Sequence, residues 1–144
     1  MTSEFGIAVH ALVYLNHKAQ SLSSEELSKN ICTNPARVRK VMAKLKKAGF
    51  IETKEGVDGG YHFIGDPGKV TLSRVAEALD ACFVSSAWHS GDSDMKCLVA
   101  SGMAGIMDEI YEDLNHICLG HLKTITIDTI DRKIFGGGRA AGGA

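Results

Sequence analysis

Residues 34–50 read NPARVRKVMAKLKKAGF, and the way this stretch folds decides the rest of the chain. Asn34 is a good helix N-cap, and Pro35 suits the first helical position, where its missing N–H costs nothing. Gly49 stands where a helix-ending glycine belongs. Between these signals lie Arg37, Arg39, Lys40, Lys44, Lys46 and Lys47, and no acid. At about 100° per residue, Val38, Val41, Met42, Leu45 and Ala48 fall on one arc, which predicts the core face. Arg37, Lys40, Lys44 and Lys47 fall on a second arc about 80° wide, and Arg39 and Lys46 extend the polar side. The positive charge covers the side that the core leaves free.

The neighbours of this helix give it a setting. Residues 4–19 carry Ile7, Ala8, Ala11, Leu12 and Leu15 on one side, with Val9, Val13 and Tyr14 on others. A helix apolar nearly all round is buried, in part against a second subunit. Ser23 and Glu26 form a capping-box pattern that starts a short helix over 24–31, and Cys32-Thr33 make a tight connection to Asn34. After Gly49, Ile51 and Thr53, then Tyr61 and Phe63, alternate along two short strands, with Asp58-Gly59 as the turn signal between them. Two helices, a tight turn, a basic helix and a hairpin make a winged helix-turn-helix. In that motif the basic helix enters the DNA major groove.

Charge supports the same reading. The chain has formal net charge -1. Residues 29–54 hold eight basic groups against the single acid Glu52, a net of +7, so the remainder nets -8. A concentrated field of this kind attracts a polyanion while the rest stays acidic. A winged helix used only for protein contacts is the alternative, and it leaves the +7 unexplained. Thr33, Asn34, Arg37, Arg39, Lys40, Lys44 and Lys54 are the candidate contacts to operator DNA, with the helix N-terminus nearest the bases.

Composition sets outer limits. A chain of 144 residues with 44% hydrophobic and 23% charged residues reads as globular, not disordered. No apolar run approaches the roughly 18 residues of a membrane span, and the N-terminus lacks the features of a signal peptide. Cys32, Cys82, Cys97 and Cys118 form no CxxC pair, which fits reduced thiols in the cytoplasm. No nucleophile elbow, phosphate loop or paired carboxylates appear, so nothing points to an enzyme.

Beyond the hairpin, Thr71 caps a further helix, LSRVAEALDA. The polar stretch SSAWHSGDSD then reads as a loop, and a long helix follows over about 93–122. Ala100, Met103, Met107, Ile110, Leu114 and Ile117 step by three and four, a heptad-like seam expected to face a two-fold mate. The fold class is thus mainly α with a small β-hairpin: a winged helix-turn-helix plus a long C-terminal dimerisation helix. The expected organisation is a DNA-binding domain over 1–83, a sensing loop and dimerisation helix over 84–135, and a disordered Gly/Ala tail over 136–144.

The runs TNPARVRKVMAKLKKAGFIETKEGVDGGYHF, VTLSRVAEALD and MKCLVASG resemble the Rrf2 family of bacterial regulators, which includes the IscR, NsrR and CymR types. The resemblance covers about residues 4–131. It implies a homodimeric winged-helix transcription factor, usually a repressor; some members sense iron–sulfur clusters or nitric oxide, some bind partner enzymes and some use thiols, so control by a small-molecule ligand or a partner protein is the alternative to cysteine oxidation. Two features depart from the pattern. Cluster-binding members resemble a series of three cysteines and a histidine. Taking Cys97 as the third cysteine, the other positions hold Ser85, Gly91 and Ala100, so no cluster or other cofactor is expected. The wing arginine that enters the minor groove in many members is replaced by Glu55, leaving Lys54 as the nearest cation.

Cys97 opens the long helix, where the macrodipole, unpaired N–H groups and Lys96 favour a thiolate, against Asp92 and Asp94. A redox-sensing thiol is one reading, and an inert packing cysteine is the other. Trp88 and His89, just before it, are candidates to line a small-molecule pocket instead. His116, Cys118 and His121 lie within six residues, but a full zinc site needs a further ligand, and no metal is expected.

Overall fold

The computed structural model describes residues 2–136 of the chain; the expected Gly/Ala tail lies almost wholly outside them. Helix α1, Thr2–Lys18, is the central pillar. Its Ile7, Ala8, Ala11, Leu12 and Leu15 are all buried, as their spacing predicts. They pack with Leu27, with Val38, Val41, Met42 and Leu45, and with Val75, in one continuous core. Truncating a fully buried leucine such as Leu12 to alanine would cost about 2–5 kcal/mol.

Helix α2, Ser24–Ile31, starts at Ser23, whose hydroxyl accepts from the Glu26 backbone N–H at 3.1 Å. The reciprocal half of the expected capping box is missing, because the Glu26 carboxylate meets the Ser23 hydroxyl instead. Cys32 ends α2 in the left-handed region, at φ 63°, and turns the chain sharply into α3, Pro35–Lys47. Asn34 Oδ1 caps α3 by accepting from the Arg37 backbone N–H at 2.9 Å. The buried face of α3 is Val38, Val41, Met42 and Leu45. Ala48, expected on that face, is exposed: it is the C-cap, and Gly49 has already turned away at φ 86°.

Strands β1, Ile51–Lys54, and β2, Gly60–Phe63, pair antiparallel, from Ile51 opposite Phe63 to Lys54 opposite Gly60. The hairpin is also tied to the rest of the domain. Leu22, between α1 and α2, exchanges two backbone hydrogen bonds with Tyr61, at 3.0 and 2.8 Å. A Cβ at Gly60 would strike the Leu22 carbonyl, and φ there is 142°, so glycine is required.

Thr71 caps α4, Leu72–Ala78, as the sequence predicts. The long helix α5 spans Leu98–Leu122 with Cys97 as N-cap, about a turn later than expected, because the backbone around Asp92 is spent on turns and on Ala100. Residues after Lys123 form a separate helix, α6, Ile127–Phe135, which the sequence reading did not distinguish. Thr126 and Thr129 close a reciprocal capping box at its start. Ile127 is fully buried in the core, and α6 packs on α1. Asn115 of α5 grips the chain after α4: its Oδ1 accepts from the N–H groups of Phe83 and Val84, and its Nδ2 donates to the Val84 carbonyl.

Candidate nucleic-acid interface

The basic side chains of α3 emerge opposite its buried stripe because the core claims one arc of the helix and leaves the other to water. Arg37, Arg39, Lys40, Lys46 and Lys47 are exposed, and Lys44 is half-buried. Several are already engaged. Arg37 Nη2 donates to Ser3 Oγ at 2.8 Å, and Arg39 Nη1 to Ser24 Oγ at 3.4 Å. Lys46 Nζ donates to Thr53 Oγ1 of β1 at 3.1 Å. Lys40 and Lys44 both reach Glu4 of α1, at 3.2 and 2.9 Å. The Glu4 carboxyl is held below its ordinary range by Lys44 and then by Lys40.

Of the expected contact residues, Thr33 and Asn34 lie in the turn at the start of α3, and the side-chain oxygen of Asn34 is committed to its cap. Lys54 ends β1, and Glu55 follows it into the exposed tip of the wing. Ser3 and Glu4 were not anticipated beside α3. They are more than thirty residues away in sequence, and only the packing of α1 against α3 brings them there.

The second feature is the seam on α5. No residue of this helix is buried. Ile110, Leu114 and Ile117 are 44%, 40% and 67% exposed, Met103 and Met107 are half-buried, and Ile106 is exposed beside them. An apolar stripe of this length on a helix that touches mainly α4 leaves much apolar surface in water.

Cys97 sits at the exposed start of α5. Its sulfur makes no cap hydrogen bond of full geometry, yet the backbone N–H groups of Ala100 and then Val99 hold its pKa below the ordinary thiol value. Cys32 and Cys82 are also exposed free thiols, and Cys118 is half-buried. Trp88 is 75% exposed, and His89 pairs with Asp108 at 3.1 Å. Neither lines a described cavity. An apolar cavity of about 620 Å³ lies elsewhere, between α1 and α6, walled by Phe5, Val9, Val13, Tyr14, Ile130 and Phe135. At its edge His10 Nε2 and Asn30 Oδ1 are 2.7 Å apart, and His17 stacks on Phe135.

Among the described residues, no three His, Cys, Asp or Glu side chains gather into a set that could hold a metal ion. Near Cys97, Gly91 lies so close to the Ala100 carbonyl that a Cβ there would collide with it. The described helices include none long and apolar enough to cross a membrane.

The family model that matches residues 1–132 is Rrf2, described as an iron-dependent transcriptional regulator. The chain is 25% identical to YwnA of Bacillus subtilis, which carries the name of a helix-turn-helix regulator, over 94% of this chain and 99% of that one. It is 27% identical to the transcriptional regulator IscR of Citrobacter koseri, over 92% of this chain and 86% of the relative. Among solved structures, IscR from T. potens superposes with a TM-score of 0.70 at 14% identity, covering 99% of this chain and 93% of that one. CymR, the global cysteine regulator of B. subtilis, superposes at 0.63 and 12% identity, covering 92% and 96%.

Proposed function

The chain belongs to the Rrf2 family of transcriptional regulators, and from that premise we propose that it is a cytoplasmic homodimeric repressor that binds operator DNA through α3 and reads its signal at Cys97. The observation that carries the reading is the basic face of α3, exposed beside a hairpin that is tied to the same domain. In this reading Thr33, Asn34, Arg37, Arg39 and Lys40 meet DNA around the α3 N-terminus, Lys44 meets the backbone from the last turn of α3, and Lys54 meets it from the wing. Asn34 contributes its amide nitrogen, since its oxygen caps the helix.

The exposed stripe on α5 supports the dimer, because a second copy would remove Met103, Met107, Ile110, Leu114 and Ile117 from water. Two recognition helices on a two-fold axis would then match two half-sites. Ser85, Gly91 and Ala100 stand where the cluster ligands of the family's iron–sulfur members would be, and no three His, Cys, Asp or Glu side chains gather among the described residues, which supports a signal read without iron. The Cys97 thiolate instead takes an oxygen from a hydroperoxide, giving a sulfenic acid and releasing water or an alcohol. Condensation with a second thiol then gives a disulfide and water.

Titration of the chain against duplexes from its own upstream region, over a range of salt, tests the DNA arm. Affinity falls steeply with salt if cations displace counterions from phosphate. A second reading makes the signal a small apolar molecule, and the α1–α6 cavity favours it, its volume falling in the range of ligand sites. DNA binding that answers to apolar compounds equally in the wild type and in Cys97→Ser would favour the cavity over the thiol.

A further inference from the structure

We infer that Glu4 is a built-in competitor at the DNA interface that sets its affinity: its carboxylate stands between Lys40 and Lys44, where a DNA phosphate would stand, so that any duplex must displace it to reach the two cations. The inference rests on the reading of α3 as the DNA-binding helix.

The geometry is specific. Lys40 and Lys44 are one helical turn apart, so their ammonium groups emerge side by side. Glu4 Oε2 lies 3.2 Å from one and Oε1 2.9 Å from the other, so each carboxylate oxygen takes one cation. Arg37, one turn earlier, is held by the preceding residue, Ser3. Three consecutive turns of the basic face therefore meet two adjacent residues of α1. The core fixes that meeting, because α1 and α3 share buried residues along their lengths. At the other end, Lys47 and Lys54 have no carboxylate partner among the described residues. The clamp thus splits the basic surface into an engaged end and an open end.

Such a clamp weakens binding without blocking it. Ion pairs near the surface are weak and salt-screened, so a well-placed phosphate displaces the carboxylate. Phosphate is common to every sequence, so Glu4 lowers binding to random DNA and to an operator alike.

The test compares the full chain with Glu4→Gln and Glu4→Asp on two labelled duplexes: one of random sequence, and one selected for binding from the chain's own upstream region. For Glu4→Gln on the random duplex, affinity should rise and the salt dependence steepen by about one to two phosphate contacts, each contributing about 0.9 to the logarithmic slope. Affinity for the selected duplex should rise with it, leaving the ratio of the two little changed. Glu4→Asp keeps the charge on a shorter arm and should stay near the wild type in slope. Equal affinities and slopes in wild type and Glu4→Gln, with both proteins folded at the assay temperature, overturn the clamp and leave the DNA reading standing. No salt-dependent binding of the wild type to either duplex overturns that reading, and the clamp with it.

Discussion

Asn115 donates its side-chain amide to the Val84 carbonyl at 2.6 Å, while its side-chain oxygen accepts from the N–H groups of Phe83 and Val84, each at 2.9 Å. One residue of α5 thereby satisfies three backbone groups of the chain leaving α4. Asn115→Ala would strip these partners and should cost roughly 1–3 kcal/mol. Asn115→Asp keeps the acceptor but sets a carboxylate oxygen against the Val84 and Tyr111 carbonyls, so it should not recover that loss. Urea unfolding of the three proteins checks the order.

Arg37→Ala and Arg39→Ala should lower operator specificity as well as affinity. An arginine bidentate to guanine contributes about 1–3 kcal/mol of discrimination. Lys46→Ala and Lys47→Ala, by contrast, should weaken all duplexes alike. Competition between operator and random DNA separates the two effects, and unchanged operator binding in both arginine variants would sink the assignment.

Ile110→Asp places a charge on the α5 seam, where the wild-type side chain is 44% exposed in the single chain. If a second copy covers the seam, the charge is desolvated and the dimer should dissociate. Sedimentation at micromolar concentration is the measurement. A monomeric wild type would rule out the two-fold model.

Cys97 should react with alkylating agents and peroxide faster than Cys32, Cys82 and Cys118. Its pKa is lowered by the Ala100 and Val99 N–H groups, so its thiolate persists to a lower pH than an ordinary cysteine's. The rate at Cys97 should therefore persist to a lower pH than that of an ordinary thiol. Peptide mapping after brief alkylation reads all four at once. DNA binding that responds to peroxide alike in wild type and Cys97→Ser would place the sensor elsewhere.

Acid should act on Glu4. Lys44 and Lys40 depress its pKa below the ordinary 4.5, so its contribution to stability is full above that value and is lost as pH falls through the folded-state value. Denaturant midpoints of wild type and Glu4→Gln should differ at neutral pH and converge in acid. A constant gap across that range would mean that the carboxylate charge contributes nothing.

Local signals carried the reading of the head. Asn34, Pro35 and Gly49 set the bounds of α3 because caps act within a few residues, and the apolar period found its core face. Ala48 escaped because periodicity does not register that a helix has ended. The α5–α6 break was hidden for a related reason: Thr129 closes the Thr126 box where a glutamate or glutamine would have signalled a new start. Ser3, Glu4 and Asn115 were invisible as site residues. Each acts on a distant stretch, and polar side chains on helices otherwise read as solvated surface.

The bond between Leu22 and Tyr61, with no room for a Cβ at Gly60, has a consequence for anyone varying this protein. A side chain at Gly60 would wedge the wing off the helices, so a mutational library spanning the hairpin should return glycine there almost without exception. Glu55, Val57 and Asp58 are exposed at the tip and should accept nearly anything. Selection for a new target sequence would then draw its variation from the tip of the wing and the outer face of α3, while the joint beneath them stays fixed.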